Sequence, residues 1–134
     1  MTVAERYSGL QSTLKIVGSE GCHFLVLCSI AEESSNKVLD LVEVIRVSQS
    51  KGWVAHDFLV RDALSLLNWM TGRKWTRKEV AKLETVRDND YTEVVYYNPR
   101  TKLRHFRRRG FDTLDSSKTV SEGYIEKYYI YTVE

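Results

Sequence analysis

Residues 92–106 read TEVVYYNPRTKLRHF, and this stretch decides the fold class. Aromatic and β-branched side chains stand on both sides of Asn98-Pro99-Arg100-Thr101. Turn-forming residues between two such runs are the pattern of a β-hairpin. Toward the C-terminus, FDTLDSSKTVSEG (111–123) predicts a strand followed by turns. YIEKYYIYTVE (124–134) alternates at Tyr128, Ile130 and Thr132 and predicts a closing strand. Toward the N-terminus the period lengthens. CHFLVLCSIAEE predicts a helix over about 21–34, apolar almost all round (Phe24, Leu25, Leu27, Ile30, Ala31), as an interior helix would be. Ser19 is a candidate N-cap for it, and Gly18 and Gly21 bracket a turn. Leu10 and Leu14 share a face of a helix over about 4–15. Leu39, Val42 and Ile45 have helical spacing within 38–50, although β-branched Val44 and Val47 leave a strand open there. A further helix is expected from near Asp57 to Gly72, with Val60, Leu64, Leu67 and Met70 as its stripe. Residues 75–86 read either as a short helix capped by Thr76 or as a loop. Helices lead and antiparallel strands follow, so the class is α+β.

The chain has 134 residues, which fits a single domain. With 43% hydrophobic and 28% charged residues, it is too apolar for disorder. No run of about 18 apolar residues exists to span a membrane. MTVAERYSGLQ lacks the basic-then-apolar order of a signal peptide, so an intracellular, cytoplasmic protein is expected. Two cysteines, Cys22 and Cys28, are too few for a disulfide scaffold or a four-ligand zinc site, and no metal or organic cofactor is expected. Twenty basic and 18 acidic residues give a net charge of +2, which alone implies no nucleic-acid partner.

Cys22 follows a glycine turn in the predicted first turn of the interior helix. Unpaired N–H groups and partial positive charge at a helix N-terminus favour thiolate and offer an oxyanion site. A nucleophilic cysteine also needs a base within about 3 Å. The structural alternative is a small buried hydrophobe, and Cys28, among apolar residues, reads that way. His105 lies after the hairpin turn, with Asp112 seven residues on, so the carboxylate can fix the imidazole tautomer. The alternative is a partly solvated strand histidine. His23 points about 100° away from Cys22 on a helix, and His56 reads as a neighbour of a helix cap. RTKLRHFRRRG (100–110) carries Arg100, Lys102, Arg104, Arg107, Arg108 and Arg109 and no acid. It is either an anion-binding surface for nucleic acid or acidic protein, or a solvated strand face.

Taken together, three segments resemble papain-fold cysteine peptidases of the small bacteriocin-processing-like kind. The likeness is to a compact bacterial and phage domain family described as a putative cysteine peptidase. They are Gly21-Cys22-His23-Phe24-Leu25, the middle segment GWVAHDFLVRDALSLLNWMTGRKW (52–75), and FDTLDSSKTVSEGYIEKYYIY (111–131). The resemblance implies a papain-like α+β fold, with Cys22 as nucleophile and Asp112 orienting the base. That family opens the strand before the hairpin with a histidine, where this chain has Thr92-Glu93-Val94-Val95. Two alignments follow. In one, His105 is the base. In the other, Glu93 stands in the base's place and the scaffold persists without the chemistry. The family's oxyanion glutamine has no close counterpart, Gln11 being eleven residues before Cys22. Two functions are therefore expected. The first is thioester hydrolysis of a peptide or isopeptide bond by Cys22, His105 and Asp112. The second is an inactive binding module, a phage-type inhibitor or adaptor, contacting an acidic protein or nucleic acid through Arg104, Arg107, Arg108 and Arg109.

Overall fold

A computed structural model describes residues 21–83, 90–113, 115 and 118–134. The helix expected over 4–15 and the Ser19 cap lie outside them. The helix α1 (Gly21–Ser35) forms where the sequence places it, and its first eleven residues are all buried. An apolar rod of this kind needs cover on every side. It packs against the helix α3 (Ala63–Thr71) and the strand β3 (Leu103–Arg108).

The open choice at 38–50 resolves to a helix, α2 (Leu41–Ser50), because Asp40 caps it by accepting from the Glu43 N–H. Its buried side is Leu41, Val44 and Ser48. The expected stripe is thus rotated, and Val42 is exposed. Helix α3 starts later than expected, at an Asp62 cap that accepts from the Ser65 N–H at 3.0 Å. The apolar residues before it serve instead a tight loop closed by a Val54–Val60 bridge. Gly72, at φ 67°, ends the helix as the sequence predicts.

Neither a helix nor a loop starts at residue 75. Trp75–Val80 is the strand β1, antiparallel to β4 (Tyr124–Val133) from Trp75↔Val133 to Val80↔Tyr128. The hairpin pairs β2 (Asp90–Asn98) with β3, from Glu93↔Arg108 to Asn98↔Leu103. The full order is β1-β4-β2-β3, all antiparallel, and the class is α+β.

The strand expected after Phe111 shrinks to one bridge, Arg108↔Phe111, followed by the short helix α4 (Thr119–Glu122). Asp115 ties this connection down by accepting from the Thr119 and Val120 N–H groups at 2.9 and 2.7 Å. Partial burial pushes its carboxyl up. Those two N–H groups and the nearby His105 outweigh the burial and hold it below its ordinary value. A carboxyl lowered by folding adds stability above its unfolded pKa of about 3.9 and loses it as pH falls through the folded value. Asp115→Asn is therefore expected to lower the urea midpoint at neutral pH and to flatten its decline below about pH 4. Parallel acid limbs in the two proteins would contradict this.

Candidate functional site

Cys22 occupies the first turn of α1, as the sequence predicts, but its surroundings reverse the expected chemistry. The residue is 0% exposed. Burial, and secondarily the Glu93 charge, pushes its thiol up to about 12. The Phe106, His23 and Cys22 backbone groups pull the other way without winning. The Phe106 N–H reaching the sulfur gives the thiol a structural task, since β3 ends the sheet and an outer strand exposes backbone donors. Cys28 is buried in the core, and neither cysteine forms a disulfide.

His105 and Asp112 meet as expected. The imidazole Nε2–H donates to Asp112 Oδ1 at 2.7 Å, and Nδ1 lies 4.0 Å from Asp115 Oδ1. Asp112 also accepts from the Thr113 N–H at 2.8 Å. Cys22 is not brought to this pair. Successive residues of a strand face opposite ways. Phe106 stacks on His23 of α1, with ring centroids 4.3 Å apart, so the ring of His105 faces the other side of the sheet. There it is 1% exposed and fastens the 111–123 connection.

The basic run is largely consumed within the molecule. Arg104 makes a two-pronged contact with Glu126 at 3.0 and 3.1 Å. Arg107 donates to the Tyr96 hydroxyl at 2.8 Å and to Asp112 at 3.4 Å. Arg108 reaches Ser29 and Glu33 on α1, and Arg100 pairs with Glu122. Among the described residues Lys102 and Arg109 have no ion pair, and both are exposed.

A second constellation forms beside Cys22. Glu93, fully buried on β2, takes the Nδ1–H of His23 on Oε2 at 2.7 Å. Its Oε1 accepts from the Tyr131 hydroxyl at 2.9 Å. Burial first, then the Glu93 charge, keeps that phenol well above its ordinary value, so it remains a donor. Arg77 lies over the Tyr129 ring, 4.4 Å from its centroid, at the outer side of the same cluster. A 100° offset from Cys22 separates His23 from the cysteine's role and hands it to the sheet instead. The signal for this in the sequence was an acid, Glu93, set among valines and tyrosines in a strand.

The His23 side chain is 10% exposed, and it opens on a cleft of about 180 Å³. Leu59 and Val60 form one wall, and Lys102, Leu103, Arg104 and Phe106 of the hairpin form the other. No carboxylate lines it. Among the described residues, no three His, Cys, Asp or Glu side chains gather as metal ligands. No helix among them is long and apolar enough to cross a membrane. Compared with known proteins, the chain matches no family model, no curated protein and no solved structure.

Proposed function

We propose that this chain is a binding module of papain-like architecture without peptidase chemistry, and that it takes an acidic segment of a partner protein at the hairpin cleft. An interior helix with a cysteine at its tip, laid against an antiparallel sheet, supports the papain-like reading. The burial of that cysteine, with His105 and Asp112 on the far face, favours the inactive alternative over thioester chemistry. The observation that carries the proposal is the cleft itself. It is apolar at Leu59, Val60, Leu103 and Phe106, its ionisable groups are all bases, and Lys102 stands exposed at its rim. A concave apolar site with a few convergent polar groups suits a short peptide segment. Nucleic acid is the weaker fit, because Arg100, Arg104, Arg107 and Arg108 already face carboxylates of the same chain.

Fluorescence anisotropy with a labelled hexapeptide of alternating leucine and glutamate is the direct test. Saturable binding, weakened by salt and by Lys102→Glu, is expected. An absence of binding, or tighter binding to a single-stranded oligonucleotide, would overturn the proposal. The chemistry of Cys22 is checked separately. A thiol raised from 9.0 to about 12 holds about a thousandfold less thiolate at neutral pH. Iodoacetamide should therefore modify Cys22 in the folded protein far more slowly than in the urea-unfolded chain. Equal rates would restore the nucleophile.

A further inference from the structure

Resting on the binding reading above, we propose that His23 is the specificity-determining residue of the cleft: its Nε2–H donates to a glutamate or aspartate carboxylate of the bound segment. Glu93 holds Nδ1, so the ring nitrogen left for a ligand is Nε2. The ring cannot swing away. Phe106 covers one face at 4.3 Å, and the Tyr129 ring lies 6.3 Å from it. Glu93 is itself fixed by Tyr131, so the imidazole is oriented by a buried partner with no freedom of its own. The exposed tenth of the side chain is the part that reaches the cleft, among Lys102, Arg104 and apolar walls.

Donation from both ring nitrogens requires the imidazolium. The buried Glu93 carboxylate balances that charge, and the ligand carboxylate then meets a cation flanked by Lys102, while Arg104 beside it is already held by Glu126. The other groups turned toward the ring are Cys22 of α1, Tyr129 and Tyr131 of β4, and, beyond them, Arg77 of β1. None of these supplies a second carboxylate to compete for Nε2.

The experiment compares an acetylated, amidated glutamate hexapeptide with its glutamine counterpart, with the His23 ring nitrogens followed by ¹⁵N NMR. A hydrogen bond between charged groups is worth about 2 kcal/mol, so wild type should prefer the glutamate peptide by about tenfold or more. The His23 Nε2 resonance should move on binding. In His23→Gln the preference should fall by about tenfold. The wild-type NMR titration keeps the test valid if that variant folds poorly. Glutamate-selective binding that leaves the His23 resonance in place would overturn this assignment while sparing the binding reading. Failure of both peptides to bind would remove the binding reading, and the assignment with it.

Discussion

Gly123→Ala should cost the fold about 3 kcal/mol, the upper end of what overpacking by a single methyl usually does. Gly123 sits between α4 and β4 at φ −112°, a conformation open to any residue, so its requirement is for space. A Cβ built there would lie 2.2 Å from the Tyr97 carbonyl oxygen and 2.5 Å from that of Thr119. Both are backbone atoms. The first belongs to the end of the β2–β4 ladder, where Tyr97 pairs with Tyr124, and the second accepts the Gly123 N–H at 2.9 Å. No side-chain rotation relieves either contact, so the end of the β2–β4 ladder or the turn of α4 must move. Gly72→Ala provides the contrast. That position has φ 67° with open space around it, so the cost there is conformational only, about 1 kcal/mol. Urea denaturation of the two variants compares them directly. A Gly123→Ala midpoint no lower than that of Gly72→Ala would mean that α4 does not press on β2.

The same contrast explains which parts of the structure the sequence reveals. Helix α1 and the β2–β3 hairpin announce themselves because their signals are local: an unbroken apolar run in one case, turn residues between β-branched runs in the other. Strand β1 does not. Its Thr76, Arg77, Lys78 and Glu79 are all exposed, and what makes it a strand is its ladder with Tyr129–Thr132, fifty or more residues away. The candidate site divides the same way. That Cys22 stands at a helix tip is readable from a glycine turn and an apolar run. That its sulfur is sealed under Phe106 depends on strand parity and on what packs over the tip, and neither is written near residue 22. His105 and Asp112, seven residues apart across one tight turn, could be paired from sequence. His23 and Glu93, 70 residues apart, could not.

Glu93→Ala should be the most costly change in the site, at about 4 kcal/mol, because it strips two buried donors of their acceptor at once. His23 would lose its partner at 2.7 Å and Tyr131 its partner at 2.9 Å, and the truncation would leave a void beneath α1. The size of that loss is not the net worth of the ion pair. Taking a carboxylate and an imidazole out of water is itself expensive, so the folded chain gains little from the pair over a well-packed apolar substitute. The two effects separate when Glu93→Leu is compared with a triple variant. Glu93→Leu alone should be severely destabilising, since it leaves the His23 Nδ1–H and the Tyr131 hydroxyl without an acceptor. With His23→Leu and Tyr131→Phe added, much of the lost stability should return, because apolar groups of similar volume then meet across the same interface. Chemical denaturation reads both. If the triple variant proves less stable than Glu93→Leu, the cluster stabilises the fold outright. If it matches or exceeds the wild type, the cluster is held at no gain in stability over an apolar substitute.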